Sequence, residues 1–196
     1  MAYPTVSAPY GFLPMNRVDG TPYAGAMRSI AIASGYAANV FKGDLVAVVT
    51  GGTVEKFTGT TSGSPVGVFM GCSYTNPSTQ QKTFAQYWPT GTAASDAVAY
   101  VMDDPMVLCK VAVTDGASAM SVAALTAVGA NMSIIQRTGS STTGNSAVSV
   151  LAGSEATTAT LPIRVIAVVP ETATSSGYPE LLVKFNTHQY NNATGV

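Results

Sequence analysis

Residues 64–75 read SPVGVFMGCSYT. Counting by twos along an extended chain puts Val66, Val68, Met70, Cys72 and Tyr74 on one face and Gly67 and Gly71 on the other. The first face is apolar enough to be buried. The glycines opposite predict a bulge, a sharp bend or the close approach of another backbone.

Nine more bursts of the same kind lie on either side: MRSIAIA, DLVAVVT, TVEKFT, TFAQYW, AVAYVM, VLCKVAV, AVSVL, TLPIRVIAVV and LLVKFNTH. Each has the length and β-branched content of a strand, and Gly, Ser, Thr and Asn separate them. Ten short strands with turn signals between them predict an all-β domain. Its architecture is a compact barrel or sandwich of short antiparallel strands, which strand spacing alone does not separate. In TLPIRVIAVV, alternation places Leu161, Ile163, Val165, Ala167 and Val169 together, with Pro162 at a strand end. In the last strand Leu181, Val183 and Phe185 face inward, while Leu182, Lys184, Asn186 and His188 take the polar side. The segment SVAALTAVGANM is Ala-rich and followed by Gly129, which predicts one short helix near 119–128. Thr/Ser/Gly-rich runs at 58–65, 137–148 and 172–177 read as surface loops.

The ends differ from the middle. Residues 1–26 carry Pro4, Pro9, Pro14 and Pro22, with Tyr3, Tyr10, Phe12 and Tyr23 between them. Proline fixes φ and removes a donor, so this stretch is expected to be an extended arm with aromatic anchors, lying on its own domain or on a neighbouring chain. The β domain then spans 27–187, and 188–196 form a C-terminal tail that begins with His188 and Tyr190.

Composition narrows the function. Charged residues make up 10% of the chain and the net charge is −1, so the basic face that nucleic acid requires is not expected. Apolar runs stay far below the ~20 residues of a membrane-spanning helix. The start, MAYPTVSAPYG, lacks a basic segment followed by an apolar one, so export is not expected. Cys72 and Cys109 sit in apolar surroundings and read as two buried free thiols.

Chemistry-bearing groups are sparse. One histidine and two isolated cysteines do not make a transition-metal site, and no glycine pattern supports phosphate binding. No catalytic residue and no cofactor is expected. His188 has neither a nucleophile elbow nor a partner acid nearby in sequence, so its expected role is structural or interfacial, at an exposed position. Asp103 and Asp104 could serve a cation, or with Glu55 a glycosidase, but before Pro105 they read first as a turn. Trp88, Tyr87 and Tyr100 could stack on a sugar, although a lone tryptophan in a strand more often belongs to a core or an interface. Lys42-Gly43-Asp44 reads as a turn, and Gly51-Gly52 as the tip of a hairpin between LVAVV and TVEKF.

The phrases YGFLPMNRVDGTPYAGAMRSIAIASGYAANVFKGDLV, PVGVFMGCSYTNP, QYWP, AVAYVMDDP, TTGNSAV and HQYNNATGV together resemble the capsid cement, or decoration, proteins of tailed bacteriophages. The resemblance implies a trimeric all-β protein without catalytic residues. It would be assembled in the host cytoplasm and sit on the outer surface of the virion, where it binds the major capsid protein lattice and stabilises the head shell. The runner-up is a carbohydrate-binding β module on a virion or fibre. Low charge and aromatic ends fit the first expectation, with Tyr3, Tyr10, Phe12, Tyr23, Trp88, His188 and Tyr190 as candidate interface residues.

Overall fold

The computed structural model describes residues 6–114, 127–172, 177–191 and 195, and within them the chain is all-β. The first nine strands are β1 (Leu13–Arg17), β2 (Arg28–Ala31), β3 (Val40–Phe41), β4 (Leu45–Val48), β5 (Val54–Lys56), β6 (Gly67–Thr75), β7 (Lys82–Ala85), β8 (Tyr87–Trp88) and β9 (Val98–Met102). The remaining six are β10 (Val107–Thr114), β11 (Asn131–Met132), β12 (Ile134–Ile135), β13 (Ser149–Leu151), β14 (Ile163–Val168) and β15 (Glu180–Phe185). A 3-10 turn follows at Gln189–Asn191. The helix expected near 119–128 falls mainly outside the described residues, as does Tyr3. Among the described residues no helix is long and apolar enough to cross a membrane.

One sheet runs β11-β14-β15-β10-β13-β12, with β1 added to β10. Its two end strands, β11 and β12, are joined through Ser133 alone, so the sheet has to curl until its ends meet, giving a nearly closed barrel. Not every pair is antiparallel as expected: β10 and β13 run parallel, Val113 opposite Val150. The inward residues of β10 are Val107, Cys109, Val111 and Val113, and those of β15 are Leu181, Val183 and Phe185. Both sets obey the period of two read from the sequence. β14 departs from it. A bulge between Val165 and Ala167 shifts the register, and Val168 rather than Ala167 or Val169 completes the buried set.

The second sheet runs β2-β9-β6-β4-β5, with β7 on β6, and a short ribbon pairs β3 with β8. Its central strand, β6, is buried on both faces. Val68 joins the barrel core, whereas Phe69, Cys72 and Tyr74 join a second core around Trp88. The single apolar face expected for 66–74 is therefore split, because the ladder to β9 slips between Phe69 and Gly71. That slip is the bulge the glycines foretold. Gly71 takes φ +150°, open to glycine alone at little cost, and a Cβ on Gly67 would sit 2.0 Å from the Met102 carbonyl oxygen. One added residue turns the second half of the strand over, so β6 serves two cores.

The two cores meet at Lys42-Gly43-Asp44. Gly43 (φ +94°) makes the expected turn; its N–H donates to the Phe69 carbonyl, and its own carbonyl accepts the Phe12 N–H at 2.9 Å. Asp44 is fully buried, with its carboxylate bonded to the Phe41 N–H, the Ser146 hydroxyl (2.6 Å) and Lys56 Nζ (2.9 Å). The loop at 140–146, the β3–β8 ribbon and the second sheet thus hang on one carboxylate. The Gly51-Gly52 hairpin forms as read, with Val49 and Thr53 closing a three-residue loop.

Residues 6–26 lie against their own domain, and part of the segment enters its sheet. Phe12 is buried in the barrel core, and β1 forms an edge strand on β10 despite Pro14. Tyr10 donates its hydroxyl to buried Glu180, which also pairs with Lys110 at 3.1 Å. Proline limits β1 to an edge, as expected of a residue without a donor, but does not keep the segment out of the sheet.

Candidate interaction surface

The Asp-Asp-Pro turn between β9 and β10 organises the outer surface. Asp104 accepts the Met106 N–H at 2.8 Å, the turn role read from the sequence, and lies 3.2 Å from Arg17 Nε as an ion pair. That nitrogen is buried and lacks a well-directed hydrogen bond, so the contact is chiefly coulombic. Asp103 pairs with Arg28 Nε at 2.8 Å and accepts the Tyr190 hydroxyl at 2.7 Å, while the Arg28 guanidinium lies 5.2 Å from the centre of the Tyr190 ring. Burial, reinforced by the bond to Asp103, pushes the Tyr190 phenol up to about 12, so it remains a donor at neutral pH. Both carboxylates are thereby engaged by arginines in ion pairs.

Beside these pairs stand four exposed apolar or aromatic side chains, Val18, Met27, Met106 and Tyr190, and exposed Leu13 and Met15 lie further along β1. Val18 is tied to Met106 through its backbone N–H at 2.9 Å, and Met27 precedes Arg28. The surface is mounted on strands and on a capped turn; two ion pairs neutralise four of its charges, and exposed Asp19, next to Val18 and bonded to Thr21, adds one carboxylate. Methionine, arginine and tyrosine are the types enriched where proteins meet proteins. Two further exposed apolar residues, Phe84 on β7 and Val128, stand outside this bonded set.

The residues nominated from sequence scatter. Tyr190 is exposed on this surface, and Tyr23 lies half-buried beside the barrel core with its hydroxyl on the Ala26 carbonyl. Tyr10 is held inward by Glu180. Phe12, Trp88 and His188 offer nothing to a partner, because this chain's own residues bury them. For Trp88 the cause is the ribbon β3–β8, which folds it against Tyr74 and leaves its indole N–H on the Tyr36 carbonyl at 3.3 Å. For His188 the cause is that β15 ends at Phe185. The Asn186 N–H turns to the Pro162 carbonyl, which breaks the alternation that would have exposed the ring. Tyr87 stacks on Phe41 and Tyr100 bonds Ser73, so these two and Trp88 form no shared sugar-stacking platform.

Met15, Met27, Met106, Arg17 and Arg28 were not singled out by the sequence. The available signal was Asp103-Asp104, since two adjacent carboxylates in a chain so poor in charge need cations beside them. Among the described residues no group of three or more His, Cys, Asp or Glu side chains could hold a metal ion. Comparison with protein-family models, curated proteins and solved structures yields no match.

Proposed function

We propose that this chain is a virion structural protein that binds the outer surface of the major capsid protein lattice of a tailed bacteriophage and stabilises the head shell. The observation that carries it is the exposed Met/Arg/Tyr surface around the 103–106 turn, its arginines paired with Asp103 and Asp104, preformed and built on sheet. A stiff surface loses little entropy on docking. Low charge over the rest of the chain and the resemblance of its phrases to cement proteins support the same reading. In this proposal the protein acts as a homotrimer, and joining three copies multiplies a modest contact through effective concentration. No catalytic step, cofactor, nucleic acid or membrane enters it.

The test is cosedimentation with expanded shells of the cognate major capsid protein. Wild-type chain should pellet to a fixed ratio per capsid subunit, and the double variant Met15→Asp/Met106→Asp should remain in the supernatant while keeping its circular dichroism. Equal pelleting of both, or none by the wild type, would overturn the proposal. Analytical ultracentrifugation should give three chains per particle.

A further inference from the structure

His188 is the only histidine in the chain, and it is 1% exposed. Its Nδ1 accepts the Tyr190 N–H at 3.2 Å, which requires the neutral ring with its proton on Nε2. Nε2 is buried and has no hydrogen bond of good geometry, although the Val66 carbonyl lies near enough to favour a charged ring somewhat. The ring packs between Phe185 and Tyr190, with centroids 5.6 and 5.0 Å away.

The segment around this ring is a strap across both sheets. Asn186 bonds the Ala159 and Leu161 carbonyls of the barrel, and Thr187 bonds the Gly63 carbonyl at 2.7 Å. Gln189 donates its N–H to the Pro65 carbonyl, while its side-chain amide both accepts from the Val48 N–H and donates to the Val48 carbonyl, each at 2.8 Å. It stands in for the strand that Pro65 cannot supply beside β4. All of these bonds are ordinary and reversible; only His188 contributes a group that titrates near neutrality.

We propose that residues 186–191 form a latch locked by neutral His188, closed over the second sheet at neutral pH and opened when the ring takes up a proton in mild acid. Protonation turns Nδ1 from an acceptor into a donor facing the Tyr190 N–H, and leaves a cation in an apolar slot. Asp103 and Asp104, on the β9–β10 turn, are the charged groups that bear on the ring and would steady the cation. Each is already paired with an arginine, Asp103 with Arg28 and Asp104 with Arg17. Desolvation dominates and holds the ring below its ordinary value. A base so depressed leaves the closed form at full strength above about pH 6.5 and weakens it progressively as pH falls below that. The latch operates in the isolated chain, whatever the outer surface binds.

Hydrogen exchange read by mass spectrometry, corrected for intrinsic rates, tests this at about pH 7.5 and about pH 5.5, on either side of the ordinary histidine value. Peptides covering 186–191 should lose up to about tenfold of their protection in acid, the most that one histidine can contribute over this interval, while β10 keeps its own. In His188→Gln, which stays neutral, the same peptides should show equal protection at both pH values. Should that variant misfold, NMR titration of the single imidazole in the wild type decides instead. A neutral Nε2–H tautomer titrating below about 6.5, in step with loss of the strap's amide protection, supports the latch. A ring titrating at or above that value, a strap unchanged in acid, or a glutamine variant as pH-sensitive as the wild type overturns it.

Discussion

Replacing Phe12 by alanine asks whether residue 12 belongs to a core or to a surface arm. The ring is 2% exposed in the barrel core with Leu45, Val68 and Val107, and its backbone N–H is fixed on Gly43. A buried aromatic side chain removes ~150–250 Å² from water, which at ~25 cal/mol per Å² is about 4–6 kcal/mol. Alanine's methyl keeps a little of that and the cavity left behind adds some, so the expected loss is about 4 kcal/mol, inside the ~3–5 range for such truncations. The cavity has no easy way to collapse, since Gly11 and Gly43 pack backbone against backbone beside it: a Cβ on Gly11 would lie 2.6 Å from the Gly43 oxygen. With a urea slope of ~2–3 kcal/mol per M, the unfolding midpoint should fall by roughly 1.3–2 M. Met27→Ala, at a side chain 51% exposed, should lose under about 0.5 kcal/mol and serves as the comparison. A Phe12→Ala midpoint within about 0.3 M of wild type would refute the core assignment and return residue 12 to a free arm.

Gly67→Ala should abolish soluble, folded protein, because both atoms in conflict, its Cβ and the Met102 oxygen, are fixed to backbone; Gly51→Ala, with open space but φ +106°, should cost only ~1–2 kcal/mol, and equal thermal melts for the two would contradict the close approach. Asp44→Asn should lose about 3–5 kcal/mol in denaturant titration by leaving Lys56 beside a neutral group, and adding Lys56→Met should restore part of it. Burial raises both thiols, Cys72 to about 12, so Ellman's reagent at mildly alkaline pH should label neither until denaturant is added and two afterwards.

Period-two patterning was enough to find the strands. Nine of the ten bursts read from the sequence became one strand each, and TFAQYW was divided between β7 and β8. The strands it missed were two-residue pieces such as β3, β11 and β12, too short to show a period, and β1, where Pro14 masked an edge strand. The glycines of 64–75 announced a bulge, because absence of a Cβ is a local property legible in any sequence. What the bulge does is not local. Only packing against β9 and Trp88 shows that it turns one strand between two cores.

The candidate surface shows the same division. Asp103-Asp104-Pro105 was legible as a turn, whereas Arg17, Arg28 and Tyr190 reach it from remote parts of the chain that antiparallel pairing brings together. His188 makes the contrast sharpest. Its isolation in the sequence was the ground for expecting a structural or interfacial role at an exposed position. Its burial was decided by where β15 stops, which depends on hydrogen bonds to Pro162 and Pro65 that no local pattern encodes. Composition and alternation determine that this chain is built of strands. Tertiary structure decides which aromatic rings remain for a partner, because burial is set by long-range neighbours.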